Sequence, residues 1–328
     1  MTAPAGVHFR EEADLTWLGV PLASGPPLSA GQPASLARLA EDPGTPPPVR
    51  LAAGAVLSVC GDPRTPAVPA VGHVPGGRAR IGLPACEVDE VVARWRHAGV
   101  ERAWIEKEIP VWQVDLDDFW LGRYPVTNLQ YLAFLRATGH PRRPGTWYLG
   151  AYPWDRANHP VAGIAAQDAD AYVTWLAGLT GHPYRLPAEA EWEWAAGGPG
   201  RREYPWGNDF DPARANTREA GIHTTTPVGV FPAGAGRYGH LDLAGNVEEY
   251  TSGCYRPYPG GNHVADHLSQ RLGSYRVTRG GSFARHGDLA RTRRRHGAFP
   301  GPLYPCGFRV ATSLPPPQSP GSSDDQGN

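Results

Sequence analysis

The residues with the clearest capacity for metal chemistry lie in one short segment. His263, Asp266 and His267 fall within five positions of each other. On a helix they would share one face, where two imidazoles and a carboxylate could bind a metal ion together with a distant ligand. The alternative is a polar loop following Pro259-Gly-Gly-Asn262, because pairs of histidines are common by chance. The segment therefore carries a metal-site hypothesis, and we favour the loop.

Two groups of acidic residues resemble general acids or bases. Glu189, Glu191 and Glu193 alternate along a predicted helix, where residues two apart point away from each other, so we expect no convergence. A solvated or scaffold-bonding role is expected instead. The aspartates between 115 and 118 are predicted to lie on the solvated side of a strand and its turn. No glycine-rich loop with a phosphate-binding signature follows a predicted strand, which gives no support to nucleotide binding.

The cysteines carry no paired motif. Cys60, Cys86, Cys254 and Cys306 are scattered, so we expect buried, reduced thiols rather than disulfides. The chain opens without a charged-then-apolar leader, and no apolar run approaches the length of a membrane span. These features predict a cytoplasmic protein without a membrane partner.

Charge and composition narrow the class of protein. The net charge of −1 gives the whole chain no bias toward nucleic acid, so we expect no nucleic-acid partner. Glycine (41) and proline (36) are far above average, yet aromatic residues make up 10% of the chain. Because disordered chains lack aromatic residues, this combination predicts a folded α+β protein with many turns and irregular loops.

Residues 1–67 differ in character from the rest of the chain and form an N-terminal extension. Two stretches rich in proline and glycine, Ala23–Pro33 and Pro43–Pro48, flank and separate two short predicted helices, Ser35–Ala40 and Val49–Cys60. The second resembles the last helix of a HEAT-like repeat. One repeat cannot bury its own apolar face, so we expect this N-terminal extension to dock on the main domain or on a partner.

Beyond the extension, helical spacing of apolar residues predicts four helices, at 87–97, 127–138, 168–179 and 187–196. The second opens with a capping box, Thr127-Asn-Leu-Gln130. Looser alternation predicts one strand over 111–121. After Gly198 we expect short strands and long loops without a further helix, and the polar residues 314–328 are expected to form a disordered tail.

Nine short segments, taken in order, resemble a known family. They are Tyr124-Pro-Val-Thr-Asn128, His159-Pro-Val161, Tyr184-Arg-Leu-Pro-Ala-Glu-Ala-Glu-Trp-Glu-Trp-Ala195, Tyr204-Pro-Trp-Gly-Asn208, Ala215-Asn216, Thr226-Pro-Val-Gly229, Leu243-Ala-Gly-Asn-Val247, Arg279-Gly-Gly-Ser-Phe283 and Gly307-Phe-Arg-Val-Ala311. This succession is similar to the formylglycine-generating-enzyme (sulfatase-modifying-factor) family. The resemblance implies an α+β, C-type-lectin-like fold over residues 68–313, with much irregular loop.

The fold by itself does not determine the function. Relatives that the resemblance implies include copper-dependent oxidases, domains fused to iron sites in a separate helical domain, and non-catalytic display proteins diversified by retroelements. The oxidases hold Cu(I) through two cysteines after the Arg-Gly-Gly-Ser segment. At those positions this chain has Arg285 and Ala290, so we expect no copper and no formylglycine synthesis. An iron-binding helical domain is not expected either, because residues 1–67 contain His8 alone.

The resemblance also implies structural Ca²⁺, which the family often holds through loop carbonyls and Asn or Asp oxygens. The matching positions are Asn216 and Asn246. The alternative is that either amide bonds to the backbone of its own loop.

In this fold, residues 284–305 line the cleft that serves catalysis or ligand binding. The resemblance marks Arg291 and Arg295 as scaffold arginines that bond inward. The freer positions are predicted to bind a ligand: Arg285, His286, Asp288, Arg294, His296, Phe299 and Tyr304. Arginine and aromatic side chains are typical of binding hot spots, so we expect a protein or an anionic ligand here. The alternative is a solvated arginine cluster.

These inferences favour a non-catalytic ligand-binding or sensing domain of this family, as a component of a bacterial signalling or defence assembly. The absence of catalytic groups supports this hypothesis more than any positive signal does. The alternative is a metal-dependent oxidoreductase with a site free of cysteine. Its ligands would come from His263, Asp266, His267, His286 and His296.

Overall fold

The helices nearest the N-terminus form a hairpin. The computed structural model describes residues 31–316, beginning with α1 (Gln32–Glu41) and α2 (Pro47–Cys60), which pack against each other. Each helix has proline in its first turn. Backbone N–H groups in that turn have no acceptor within the helix, so the missing proline N–H costs no hydrogen bond. The predicted helices Ser35–Ala40 and Val49–Cys60 are confirmed, and both begin a few residues earlier than expected.

This hairpin docks on the rest of the molecule. Ala53 and Leu57 of α2 are buried in one cluster with Val230 and Phe231. The Arg50 guanidinium donates to the Val230 carbonyl oxygen at 2.9 Å. The apolar face that a lone helical hairpin cannot bury is therefore covered by the main domain, one of the two outcomes that we expected.

The strands form three small sheets. The first contains β1 (Val71–Val74), β4 (Phe119–Gly122), β10 (Ala311–Thr312) and β5 (Tyr184–Arg185), bonded in that order. The second pairs β2 (Gly77–Ile81) with β3 (Trp112–Leu116). The third contains β8 (His296–Gly297), β7 (Arg276–Arg279), β6 (Glu248–Cys254) and β9 (Cys306–Gly307), in that order. All pairings are antiparallel except that of β6 with β9.

The chain between 111 and 121 forms two strands, and the prediction of one strand is wrong. A turn at Asp117 and Asp118 separates β3 from β4, which belong to different sheets. Asp118 Oδ1 accepts a hydrogen bond from the Gly76 backbone N–H at 2.8 Å. Alternation reports only the period of a strand, so it does not show where a chain leaves one sheet for another.

The remaining helices are α3 (Val88–Arg94), α4 (Arg102–Glu106), α5 (Asn128–Thr138), α6 (Ala166–Thr180), α7 (Glu189–Gly197) and α8 (His267–Leu272). The four helices predicted from apolar spacing are confirmed as α3, α5, α6 and α7. The first is shorter than predicted, because the chain tightens into a 3-10 turn at Arg96–Ala98. The capping box is present at α5, where Thr127 Oγ1 accepts from the Gln130 N–H at 3.3 Å.

Helix α8 corrects the expectation that no helix follows Gly198. Asp266 caps this helix by accepting from the Ser269 N–H at 3.0 Å, and Gly273 ends it. At six residues α8 is too short to show a periodic apolar pattern. Within the described range, no helix combines the length and apolarity that a membrane crossing requires. The tail predicted at 314–328 lies outside the described residues from 317 onward.

The largest core cluster joins α5 and α6 to the third sheet. Tyr172 of α6 stacks on Tyr131 of α5 and meets Phe308 edge-on, with ring centroids 6.0 and 5.1 Å away. Tyr250 of β6 and Cys306 of β9 belong to the same cluster. This aromatic packing holds α6 against α5 and against Phe308, which directly follows β9 of the third sheet.

Candidate functional site

The third sheet places several polar side chains beside one another. Glu248 begins β6 and is paired with Cys306 of β9. Thr278 of β7 stands between Tyr250 of β6 and His296 of β8. Because neighbouring strands lie about 4.8 Å apart, this register brings a carboxylate, a hydroxyl and an imidazole within bonding distance.

Glu248 is fully buried and lies at the centre of a hydrogen-bonded group. Its Oε2 lies 2.9 Å from His296 Nδ1 and accepts from Thr278 Oγ1 at 2.8 Å. Its Oε1 accepts from the Tyr304 hydroxyl at 2.5 Å and lies 3.8 Å from Arg285 Nε. Arg285 Nη2 also donates to the Tyr304 hydroxyl at 3.0 Å. We call these five residues the Glu248 cluster.

The cluster holds a charged carboxylate in the protein interior. Burial alone would raise the pKa of Glu248, but His296, Arg285 and Tyr304 outweigh that effect and lower it. Burial lowers the pKa of His296 and raises that of Tyr304 well above its usual range. The Glu248 carboxylate is therefore held by hydrogen bonds from Thr278 and Tyr304 and by its ion pair with Arg285, and His296 bonds to the same group.

Arg285 is less free than the sequence suggested. Its side chain is 38% exposed, pairs with Glu248, and lies over the Tyr304 ring with the guanidinium carbon 5.1 Å from the ring centre. Part of its charge is therefore compensated within the protein. Among the residues predicted to bind ligand, the structure brings Arg285, His296 and Tyr304 together around a carboxylate that sequence reasoning missed.

Two residues of the predicted ligand surface are buried away from the Glu248 cluster. Asp288 and Arg294 are 3% and 1% exposed. Arg294 Nη1 donates to the Trp104 carbonyl oxygen at 3.2 Å, and its Nε lies 3.5 Å from Asp288. Arg294 is enclosed because α4 packs over the 288–295 turn, a long-range contact that local sequence does not reveal. His286 is partly exposed and bonds to Glu219.

The expected scaffold role of two arginines is confirmed. Arg291 makes two bonds to Glu108, the shorter at 2.6 Å, and both side chains are fully buried. Arg295 makes two bonds to Glu189, at 2.7 and 2.8 Å. Forked guanidinium–carboxylate pairs of this kind fix the orientation of both partners.

The glutamates of α7 do converge in part, which corrects our expectation. Glu189 and Glu193 both accept from Arg279 Nη2, at 2.7 and 3.0 Å, because residues four apart share a helix face. Glu191 points away and accepts from Arg185. The pair is a scaffold interaction, in line with the bonding role that we favoured.

The segment proposed for metal binding is already engaged. Asp266 Oδ2 accepts from the buried Lys107 Nζ at 2.6 Å. The His263 ring lies beside Tyr255, and the His267 ring lies between Trp104 and Phe299. In the part of the chain that the structure describes, no three His, Cys, Asp or Glu side chains form a group suited to a metal ion.

The Glu248 cluster adjoins an open cleft of about 690 Å³. Tyr304 and Cys306 lie in its wall, together with the first turn of α6 and the loops at 142–145 and 298–302. Its other aromatic residues are Tyr250, Tyr275 and Phe299. This volume falls within the range of small-molecule sites, which are usually lined by aromatic residues and a few polar groups.

Three arginines line the cleft, and none of them was identified from the sequence. Arg142 bonds to Asp168 through Nε while its side chain stays 56% exposed. Arg143 donates to the Gly150 carbonyl oxygen, and Arg276 pairs with Asp170. Asp168 lines the cleft and pairs with Arg142, and Asp170 compensates Arg276, so the wall keeps one positive charge in excess. The adjacent pair Arg142-Arg143, just before Pro144-Gly145, was the available signal.

The thiols of this chain do not fit a copper site. Arg285 occupies one position that the resemblance assigns to a ligand, and buried Ala290 the other. Cys254 and Cys306 both line the cleft, but Cys254 lies six residues along β6 from the residue paired with Cys306. At about 3.3 Å per residue that separation is roughly 20 Å, far beyond two thiolates on one ion. Burial also raises the pKa of Cys306 well above its usual range.

Asn216 and Asn246 join two loops to the 224–226 segment. Asn216 Nδ2 donates to the Thr224 carbonyl oxygen at 2.9 Å. Asn246 Oδ1 accepts from the Thr226 N–H at 3.1 Å, and its Nδ2 donates to the Thr226 carbonyl oxygen at 3.2 Å. The amides therefore bond to another loop's backbone rather than to their own. Asn216 Oδ1 is buried without a protein partner, and structural Ca²⁺ stays a prediction.

Comparison with known proteins decides the family. The family model of the sulfatase-modifying factor enzyme 1-like domain matches residues 59–314. The chain belongs to this family. The match covers the three sheets and the cleft, and it begins within the last turn of α2.

Curated members of the family that resemble this chain have different names. A formylglycine-generating enzyme of Thermomonospora curvata is 36% identical over 240 residues, covering 55% of this chain and 75% of that enzyme. A hercynine oxygenase of Mycolicibacterium thermoresistibile is 31% identical over 234 residues, covering 60% of this chain and 51% of the oxygenase. This chain thus spans about half the length of that oxygenase, so shared sequence alone does not transfer either activity.

Solved structures confirm the fold. PvdO from Pseudomonas aeruginosa superposes with a TM-score of 0.58 at 27% identity, covering 75% of this chain and 95% of PvdO. The Treponema denticola variable protein 1 gives 0.54 at 19% identity, covering 74% of this chain and 95% of that protein. The expected α+β, C-type-lectin-like fold of the family is confirmed.

Proposed function

We propose that this family member is a non-catalytic binding domain whose cleft takes an anionic ligand. The observation that carries the proposal is the lining of the cleft, where three arginines lie beside four aromatic rings. Asp168 and Asp170 pair with two of these arginines, which leaves one positive charge in excess. Exposed guanidinium groups bind carboxylates, sulfonates and phosphates through forked hydrogen bonds. Aromatic walls add contact area for an apolar part of the same ligand.

The pairing of Arg285 with Glu248 supports ligand binding by this domain rather than an oxidase activity. Arg285 stands where the resemblance places a copper ligand, and its charge is used by Glu248. A metal-dependent oxidoreductase would need other ligands, but Asp266 is bonded to Lys107 and Ser269. Of the predicted residues in 284–305, the ligand surface that we propose keeps Phe299 and Tyr304. Its arginines come from other segments of the chain.

The test uses a small aromatic anion, 8-anilinonaphthalene-1-sulfonate, titrated by calorimetry into the natively folded chain. We expect one saturable site in the wild type. The double substitution of Arg142→Ala with Arg143→Ala should weaken binding at least tenfold, as expected for about 1.5–3 kcal/mol from lost charged hydrogen bonds. Arg78→Ala with Arg80→Ala is the matched control, because it removes the same number of charges from exposed positions on β2 outside the cleft.

Thermal melts of the variants keep the result interpretable, since Arg142 also bonds to Asp168. Equal affinity of the Arg142→Ala, Arg143→Ala cleft variant and the wild type would contradict the proposal. So would equal losses from the cleft variant and the β2 control variant, because the effect would then come from net charge alone.

A further inference from the structure

Among the described residues, the most exposed large apolar side chains lie on two loops that also contribute residues to the cleft wall. In the described range, the three most exposed large hydrophobic residues are Tyr148 (83%), Leu149 (89%) and Leu303 (71%). The first two belong to the loop that follows Arg142 and Arg143, and the third to the loop that ends at Tyr304. We call these three residues the apolar rim. Exposed apolar side chains on neighbouring loops are typical of an interaction site.

The two loops are held against each other. A Cβ atom on Gly145 would lie 1.9 Å from the Pro302 carbonyl oxygen, so the backbones touch where only glycine fits. Gly163, at the base of the cleft, approaches the same oxygen, with 2.7 Å to its hypothetical Cβ atom. Because Gly145 and Pro302 both line the cleft, the two loops that carry the rim meet at the cleft wall.

The conformation of Leu149 favours a role for its side chain. Its φ of 52° lies in the left-handed region, which a branched aliphatic residue rarely adopts and which asparagine or glycine occupies more readily. This backbone holds an 89% exposed leucine in solvent. Neither burial nor local preference accounts for leucine here, whereas contact with a partner does.

The cationic and apolar parts of this surface are physically tied. Arg143 Nη1 donates to the Gly150 carbonyl oxygen at 3.2 Å, which places the guanidinium directly beside Leu149 in the chain. A partner whose apolar side chains covered the rim would therefore place its neighbouring groups next to the arginines. Charge complementarity requires those groups to be acidic.

We propose that the cleft and the apolar rim together bind an acidic protein segment that carries leucine or aromatic side chains. This inference rests on the proposed function and specifies its partner. A small anion would occupy the arginines and leave the rim exposed. Single-stranded nucleic acid would meet the arginines and stack on Tyr148, but it would leave the aliphatic side chains of Leu149 and Leu303 without an apolar partner.

The experiment selects a random 12-residue peptide library on the immobilised full chain. We expect the enriched peptides to combine Asp or Glu with Leu, Phe or Trp. One such peptide, synthesised and labelled, should bind at least tenfold more weakly to a rim variant with Leu149→Asn and Leu303→Ser. Asparagine suits the positive φ at 149, so the rim variant should melt no lower than the wild type.

Leu179→Gln is the matched control, because Leu179 is 56% exposed at the end of α6 and should leave peptide binding unchanged. No enrichment, or enrichment of basic or uncharged peptides, overturns the inference. Undiminished binding by the rim variant does so as well, as does a deoxythymidine oligonucleotide binding more tightly than any selected peptide. If the small sulfonate still binds in those cases, the proposed function stands; if it does not, both fail.

Discussion

At the residue scale, environment separates arginines that look alike in sequence. Residues 285–295 include Arg285, Arg291 and Arg294. Arg291 forms a fully buried pair with Glu108, whereas Arg285 is partly solvated and meets Glu248 at 3.8 Å without a direct hydrogen bond. Removing one partner from a buried pair leaves an uncompensated charge, and solvent reduces that penalty where it can reach.

Alanine substitutions should therefore rank by burial. Arg291→Ala should lower the free energy of unfolding by about 3–5 kcal/mol, because Glu108 and Glu203 lose a buried cation. Arg285→Ala should cost only about 1 kcal/mol, since the side chain is 38% exposed and His296 and Thr278 still bond to Glu248. Urea titration of both variants checks this ranking. Equal losses would mean that Arg285 is a scaffold arginine like Arg291.

At the scale of elements, the same residue type has opposite consequences in two helices. Gly54 of α2 packs against Pro227, and an added Cβ atom would lie 2.7 Å from the Pro227 Cβ. Gly178 of α6 has no atom within 4 Å of such a position. The first glycine permits close docking of the hairpin, while the second only weakens its helix, since glycine is less favourable than alanine in a helix by roughly 1 kcal/mol.

Alanine at these two glycines should shift stability in opposite directions. Gly178→Ala should raise the free energy of unfolding by about 0.5–1 kcal/mol through helix propensity alone. Gly54→Ala should lower it by about 1–3 kcal/mol, because the methyl group overpacks the interface with Pro227 and Val230. Thermal unfolding of both variants measures the difference. A stabilised Gly54→Ala protein would show that the hairpin is not docked as described.

At the scale of the whole molecule, the net charge is close to zero, yet charged residues are paired in the interior. Arg309 pairs with Glu249 in the core, and both side chains are fully buried. His240 and Asp242 are buried nearby, each influenced by Arg309. Burial, assisted by Arg309, lowers the pKa of His240 to about 4. Burial raises the pKa of Asp242 to about 6, although Arg309 opposes that shift.

These shifts predict opposite pH dependences. Between pH 6.5 and 4 the unfolded chain binds a proton at His240 that the folded chain excludes, so stability falls as pH falls through this window. His240→Gln should remove up to roughly 3 kcal/mol of that loss. In the folded protein the Asp242 carboxyl stays protonated up to about pH 6. Its contribution to the free energy of unfolding therefore declines as pH rises from 4 to 6. Asp242→Asn should remove this opposite trend.

Urea titrations at pH 4.5, 5.5 and 7 on the two variants and the wild type measure both effects. The difference between His240→Gln and the wild type should grow in favour of the variant as pH falls. A difference independent of pH would mean that His240 is solvated in the native protein.

The local signals in the sequence located part of the secondary structure. Capping and apolar periodicity located the helices of seven or more residues, as with Thr127 and Gln130 at α5, because a helix end is satisfied within four residues. The succession of short segments predicted the family, and the family match confirms it. Strand boundaries between 111 and 121 and the short α8 were not predicted, since pairing partners and single-turn caps leave almost no periodic pattern.

Only the tertiary structure decided which polar residues meet. Glu248 lies far in sequence from Tyr304, yet parallel pairing of β6 with β9 brings them within a hydrogen bond. The sequence alone predicts that Arg294 is a free cation, whereas the structure shows that α4 covers it. Charge and residue type are properties of the sequence. Burial and hydrogen-bond partners depend on long-range contacts, and they determine whether an arginine holds the scaffold or remains available to a ligand.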